Sequence, residues 1–281
     1  MKRESHEYQQ IYDVATRTAC AVGKILRDGF NARKRTHEVS HHDIKLEMDV
    51  RAQEFIYRSI SRVFPEHELL GEEDTAYHGG KKSTTGSAKY RWVIDPLDGT
   101  VNYFYNIPHY CTSIACQRRK SRVESRESRA NEEWETIVGA IYDPSTDELF
   151  SAQKGGPSLL NGRPIRVSSR SNLSDCCVTI GLFKSPKTIA YGNLHFARLS
   201  RRARKIRIMG AAALDICYVA SGRYDAYLEL SIKLWDIAAG LFILKNAGGT
   251  YKLSPTEKPH SFECVATNGK ILRNYRFFTK R

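Results

Sequence analysis

No stretch of the 281-residue chain is apolar for long enough to cross a bilayer, since a spanning helix needs about 20 consecutive apolar residues. The opening Met1-Lys2-Arg3-Glu4-Ser5-His6-Glu7 leads into an amphipathic segment instead of a signal h-region, and the expectation is a soluble cytoplasmic protein. Paired metal-binding motifs are also missing. The seven cysteines are odd in number and form no Cys-Xaa-Xaa-Cys, and there is no His-Glu-Xaa-Xaa-His helix, so a structural zinc site has little support. Cys20, Cys111, Cys116, Cys217 and Cys264 sit among apolar neighbours and Cys176-Cys177 are adjacent, a pattern of reduced core thiols. His41-His42 reads as a polar loop. Acidic residues are the scarcer charge, 31 against 44 Lys and Arg, for a net +13. The excess gathers at Arg118–Arg129, Arg198–Arg207 and the tail ending Lys280-Arg281. These blocks lack interleaved aromatics, an RNP motif and finger spacing, which favours a solvated surface over a nucleic-acid footprint and leaves steering of an anionic substrate open.

With 41% hydrophobic residues, the chain can bury a sizeable core as one large domain or two joined halves. Ile11, Val14, Ala15, Thr18, Ala19, Val22, Ile25 and Leu26 recur at helical spacing between Glu7 and Phe30, predicting a long amphipathic helix. Asn31–His42 has no period and is expected to be a mobile loop. The alternating Asp43–Asp49 leads into a second helix carrying Ala52, Phe55, Ile56, Ile60, Val63 and Phe64, ended by Pro65. Leu69-Leu70 reads as a strand running into Gly71-Glu72-Glu73-Asp74, and Tyr77–Lys89 as a surface excursion. Strands are expected at Tyr90–Ile94, Tyr110–Cys116, Thr136–Tyr142 and Glu148–Ala152, with Gln117–Glu135 a projecting loop and Asn161-Gly162 a tight turn. Alternation then sets in: strands at Cys177–Ile180, Lys205–Ile208 and Tyr224–Leu230, with helices at Tyr191–Ser200 and Ala211–Ser221, the signature of an α/β layer. Asp236 is expected to N-cap a helix Ile237–Asn246, before strands Thr250–Leu253 and Cys264–Thr267 and a basic tail.

The chemistry should sit at Trp92-Val93-Ile94-Asp95-Pro96-Leu97-Asp98-Gly99-Thr100-Val101-Asn102-Tyr103. A strand delivers Asp95, Pro96 stiffens the turn, and Asp98 can face the same space. Two anions that close call for a cation. Gly99 lets the backbone approach a ligand, and the amides after it can point at an anion. Asp-Pro and Asp-Gly turns are common without function. The second acidic group at Glu72-Glu73-Asp74 argues for more, although an acidic triplet is also an ordinary solvated charge run. Asp95 and Asp98 are spaced unlike the Asp-Xaa-Asp of aspartyl-phosphate phosphatases, so a covalent phospho-aspartate is not favoured.

Gly71-Glu72-Glu73, Asp95-Pro96-Leu97-Asp98-Gly99-Thr100 and Trp235-Asp236-Ile237-Ala238-Ala239-Gly240, in this order, resemble the inositol monophosphatase family of magnesium-dependent, lithium-sensitive phosphatases across nearly the whole chain. The resemblance implies an α/β fold, a layered αβαβα sandwich of the sugar-phosphatase type. It implies one domain over residues 1–281, with an α+β half (1–175) carrying most metal ligands and an α/β half (176–281). A homodimer is expected. Two or three Mg2+ ions are implied, the first held by Glu72, Asp95 and the Leu97 carbonyl, the second by Asp95, Asp98 and Asp236. A metal-activated water, aligned by Thr100 and Asp49 with Glu72 nearby, would hydrolyse myo-inositol monophosphates. Gly99 and Thr100 would bind the phosphate, and Gly210, Ala211, Ala212, Glu229 and Asp236 would line the substrate. Asp215 is either a further contact or a solvated residue. Related esters such as a 3′-phosphonucleotide, fructose 1,6-bisphosphate or another sugar phosphate are the alternative substrates. A nonenzymatic polyanion- or RNA-binding protein is the alternative of another class, with membrane binding excluded and nucleic acid disfavoured.

The sequence departs from the family at Ala211, where a hydroxyl residue is usual, and at Leu46-Glu47-Met48-Asp49, which keeps the acid of a Thr-Xaa-Xaa-Asp pattern and loses the threonine. Glu38 and Val39 stand near the place of a loop lysine, and Gln117–Glu135 is longer than the family leads one to expect.

Overall fold

A computed structural model describes residues 2–39, 44–75, 88–120, 133–182 and 185–271. In chain order come α1 (Lys2–Gly29), β1 (Thr36–Val39), β2 (Ile44–Leu46), α2 (Glu47–Ser61), β3 (Glu68–Gly71) and a 3-10 turn at Glu72–Thr75. Next follow β4 (Tyr90–Asp98), α3 (Thr100–Phe104), β5 (Cys111–Arg119), β6 (Trp134–Asp143), β7 (Glu148–Gln153), β8 (Leu159–Leu160) and β9 (Arg163–Pro164). The remainder is β10 (Cys177–Ile180), α4 (Pro186–Ser200), β11 (Lys205–Arg207), α5 (Ala212–Ala220), β12 (Ala226–Lys233), α6 (Leu234–Asn246), β13 (Thr250–Pro255) and β14 (Ser261–Thr267).

Strands β3 to β9 form a seven-stranded sheet in sequence order, and a five-stranded sheet runs β11-β10-β12-β14-β13. Both faces of the larger sheet are covered, which is why the Trp92-Val93-Ile94 segment of β4 is continuously apolar rather than alternating. Trp92 and Ile94 pack with Ile11, Ala15, Val22 and Leu26 of α1 and Ile56 and Ile60 of α2. Val93, with Ala115, Ile141 and Phe150, faces the other way onto Leu214 and Ile216 of α5 and Ile237 and Ile243 of α6. The same core continues to Tyr227, Cys264 and Ala266 of the smaller sheet. That sheet's outer face, through Val178, Leu228 and Val265, meets Leu199 of α4. The layers are therefore α, β, α, β, α, the sandwich that the resemblance implies. Gly139 permits the middle contact: a Cβ there would stand 2.9 Å from the Ala239 carbonyl, so α6 lies directly on β6. All seven cysteines are free thiols, Cys20 and Cys177 half-buried and the others buried.

Several boundaries differ from expectation. Thr36–Val39 pairs antiparallel with Ile44–Leu46, so part of the presumed loop 31–42 is a strand whose partner supplies the periodicity it lacks. His41 and His42 lie outside the described residues. α2 begins at Glu47 and ends at Ser61, which places Asp49 in its first turn. β4 runs through Pro96 to Asp98 instead of turning at the proline. Its pairing with β5 is irregular between Asp95 and Asp98, and a bulge is where a strand tolerates a residue without an N–H. The break comes at Gly99, whose φ of 88° starts α3. β5 and β6 reach Arg119 and Trp134, shortening the presumed 117–135 loop; residues 121–132, the 76–87 part of the surface excursion and the tail from 272 lie outside the described residues.

Candidate active site

β3 and β4 are parallel, with Gly71 opposite Ile94, so the acids that follow each strand emerge at one edge. Within the acidic triplet, Asp74 accepts the Gly71 amide at 2.9 Å and the Tyr57 hydroxyl, while the Glu73 amide donates to Gln53 Oε1 at 3.0 Å. The turn is thus tied to α2 rather than being a solvated charge run, and Glu72 is the member that lines the cleft. At the end of β4, Asp95 Oδ1 accepts the Leu97 amide at 3.0 Å, an Asx turn that holds both the carboxylate and the Leu97 carbonyl in place. Asp98 accepts the Ala212 and Ala213 amides at 3.2 and 2.7 Å, which anchors it on the N-terminus of α5.

Asp236 is not the N-cap of α6. That position is Lys233, and Asp236 is the third helical residue, its Oδ2 accepting the Lys233 amide at 3.0 Å. The other oxygen remains for the cleft. One carboxylate oxygen from each of Glu72, Asp95 and Asp236 lies within 4.8 Å of the others.

These groups open into a cleft of about 290 Å3 between the two sheets, lined also by Leu97, Asp98, Gly99, Thr100, Gly210, Ala211, Ala212 and Glu229. Asp49 is not among the lining residues; it is buried and stands behind the wall, 3.4 Å from Thr100 Oγ1, which also reaches the Leu97 carbonyl at 2.9 Å. Asp215 lines the cleft and is 1% exposed, so it is not solvated. Thr179 Oγ1 donates to it at 2.7 Å and His109 Nε2 lies 3.7 Å away.

Burial pushes the Asp95 carboxyl well above the usual carboxylate range, with Glu72, Asp98 and Asp236 adding repulsion. Asp236 is raised by burial and then by Glu72 and Asp98. Asp98 is pushed up to about 6 by burial, against the opposing pull of the Ala213 amide. Glu229 is pushed up to about 7 by burial, opposed by the Tyr227 hydroxyl. Desolvated acids that raise one another are relieved by a cation, and an all-oxygen donor set fits a hard divalent ion such as Mg2+.

Sequence reasoning missed Gly181, Tyr227, Ser231, Lys233 and Lys258, all of which line the cleft. A Cβ on Gly181 would fall 1.7 Å from Glu229 Oε2, and a glycine directly after a buried strand was the available signal. Ser231, at φ 73°, and Lys258, in the β13–β14 turn, carry none.

An acid-lined cleft on an αβαβα scaffold, with a hydroxyl held by a buried carboxylate, is an arrangement suited to holding a metal ion beside a hydroxyl. Residues 7–272 match the inositol monophosphatase family model, and the chain belongs to that family. It is 36% identical over 270 residues to a Nus factor SuhB of Xylella fastidiosa, spanning 92% of this chain and 90% of that one. It is 34% identical over 267 residues to a fructose-1,6-bisphosphatase/inositol-1-monophosphatase of Aquifex aeolicus, spanning 94% and 92%. The solved inositol monophosphatase of Anabaena (Nostoc) sp. PCC 7120 superposes with a TM-score of 0.74 at 32% identity, over 93% of this chain and 92% of that one.

Proposed function

We propose that the protein hydrolyses phosphate monoesters of inositol to inositol and inorganic phosphate in a magnesium-dependent reaction. The observation that carries this reading is the meeting of Glu72, Asp95 and Asp236 within 4.8 Å in the cleft. Glu72, Asp95 and the Leu97 carbonyl would hold one Mg2+, and Asp95, Asp98 and Asp236 a second. When bound, such ions make water a competent nucleophile at neutral pH and offset charge on the transferring phosphoryl group.

The protein's own groups do the positioning. Thr100 has one hydroxyl proton and two acceptors, the Leu97 carbonyl at 2.9 Å and Asp49 Oδ1 at 3.4 Å. Donation to Asp49 turns its lone pairs toward the cleft, where they would accept a proton from the attacking water as the hydroxyl's own proton passes to the Asp49 carboxylate, with Glu72 beside it. The backbone at Gly99 and Thr100 begins α3 and presents amides to the phosphate oxygens. Glu229 and the Gly210-Ala211-Ala212 wall face the alcohol part of the ester, where a buried acid discriminates among ring hydroxyls because an unmatched partner is left without a hydrogen bond.

The homodimer reading is supported by exposed apolar side chains on adjoining segments: Tyr105 at 65%, Ile208 at 57% and Ile107 at 47%. Asn102 Nδ2 ties these segments by donating to the Met209 carbonyl at 2.9 Å. No helix among the described residues is long and apolar enough to cross a membrane.

The test is phosphate release from inositol 1-phosphate, fructose 1,6-bisphosphate and a 3′-phosphonucleotide, with magnesium titrated and lithium added in parallel. Preference for the inositol ester with inhibition by lithium is the expected result. Preference for another ester keeps the mechanism and changes the substrate. A second reading, a polyanion-binding role, is supported by the exposed Arg198, Arg201, Arg204, Lys205 and Arg207, which run from the end of α4 through the connection into β11, and by relatives named Nus factor. Absence of magnesium-dependent release from all three esters, together with RNA binding that falls steeply with salt, would favour it.

A further inference from the structure

A second cavity, of about 140 Å3, lies apart from the cleft and shares none of its lining residues. Its walls are the segment that leaves α1 (Gly29 and Ala32 to Arg35), the end of β2 at Leu46, the first turns of α2 (Glu47, Met48 and Arg51) and Tyr103. Four of these residues are cations, Arg33, Lys34, Arg35 and Arg51, against the single carboxylate of Glu47.

The cations differ in what already engages them. The Lys34 ammonium is fixed by carbonyls at the end of α1, including Gly29 O at 3.2 Å, by Asn106 Oδ1 at 3.1 Å, and by the Tyr103 ring, whose centroid is 4.5 Å away. None of these is an anion, so Lys34 has no ion pair among the described residues, and burial draws its pKa down. Arg33, Arg35 and Arg51 have no ion pair among the described residues. The two walls are braced, because the Glu47 amide donates to the Arg35 carbonyl at 3.0 Å, so the segment bearing Arg33 and Arg35 is held against the helix bearing Arg51. Guanidinium groups match tetrahedral oxyanions through paired N–H donors.

We propose that this cavity is an anion site for phosphate or a phosphate-bearing small molecule, separate from the catalytic cleft and independent of its reaction.

The test titrates inorganic phosphate into the full chain by calorimetry at constant ionic strength, once with magnesium and once with EDTA, for wild type, Arg33→Gln/Arg51→Gln and Arg33→Lys/Arg51→Lys. EDTA removes the cations that would draw phosphate into the acidic cleft, so binding that persists reports on the second cavity. The expected result is saturable binding by wild type in EDTA, weakened at least tenfold in the Gln pair and less in the Lys pair. Binding that vanishes with EDTA in wild type, or that is equal in wild type and the Gln pair, overturns the proposal. Neither result depends on whether any ester is hydrolysed.

Discussion

Asp49 divides its carboxylate between two partners, Oδ2 accepting the Leu46 amide at 2.6 Å and Oδ1 lying 3.4 Å from Thr100 Oγ1. Asp236 repeats the arrangement at the start of α6, where Oδ2 takes the Lys233 amide at 3.0 Å. Both acids are the third residue of their helix, where a carboxylate satisfies an otherwise unpaired amide and meets the positive end of the helix dipole. A helix end thus fixes one oxygen, which aims the other.

The two functions of Asp49 separate by mutation. Thr100→Val removes the proposed proton relay and leaves the helix end untouched, so kcat should fall by about 10²-fold or more with little change in KM or in the urea midpoint. Asp49→Ala should lose the same turnover and in addition about 1 kcal/mol of stability, the worth of a cap. Steady-state kinetics at saturating magnesium and urea unfolding check both. Unchanged kcat in Thr100→Val would remove Thr100 from the reaction.

Asp98 poses a sharper choice, since its two hydrogen bonds to α5 would explain its presence without any cation. Asp98→Asn can keep one of those bonds and loses the other, a cost of about 1 kcal/mol that a chain of this size survives. As a cation ligand, however, its charge is needed, and turnover should fall by about 10²-fold or more, with the magnesium requirement shifted upward. If the variant turns over normally, Asp98 serves only as the cap of α5 and the second cation position fails.

What was legible in the sequence follows from how local each signal is. The α1 stripe from Ile11 to Leu26 was readable because helical periodicity needs no partner. Glu72, Asp95, Asp98 and Asp236 stood out because each follows an apolar run closely, so backbone punctuation marks where a strand or helix delivers an acid. The β1–β2 pairing was not readable, because four residues of Thr36–Val39 carry too little pattern and the strand exists only through its partner. Asp215 is ambiguous in the sequence for a related reason: its burial depends on Thr179 and His109, each more than thirty positions away in sequence. The role of Asp236 as third helical residue rather than N-cap rests on where α6 begins, a boundary that propensity does not resolve.

His67 makes stability depend on pH in a defined direction. It accepts the Trp92 indole N–H at 3.0 Å, stacks on Phe64 with ring centroids 4.6 Å apart, and its pKa is lowered to about 4, chiefly by burial. In the unfolded chain it titrates near 6.5, so between those values the unfolded state binds a proton that the folded state excludes. The contribution is present above about pH 6.5 and is lost as pH falls toward 4. The urea midpoint of wild type should therefore drop between pH 7 and pH 5 by more than that of His67→Gln, which starts lower at pH 7 for want of the indole bond. Parallel curves would show that His67 is not the group responsible.

Ser231 stands at φ 73° in β12, at the irregularity between Leu230 and Ile232. The extra residue places Glu229, which lines the cleft, and Ile232, which joins the central core, on one side of the sheet, where strict alternation would separate them. The bulge is therefore part of how the wall of the site is built, and it is occupied by a residue whose Cβ resists the left-handed region. That conformation costs an L-residue about 1–2 kcal/mol, whereas glycine adopts it freely but gives up about 0.5–1 kcal/mol in chain entropy. The strain relieved exceeds the entropy lost, so Ser231→Gly should raise stability by about 0.5–1 kcal/mol, read as a higher urea midpoint at unchanged slope. Ser231→Val, β-branched and confined to the same backbone, should move the midpoint the other way. A glycine variant less stable than wild type would mean that the serine side chain holds the bulge rather than merely enduring it.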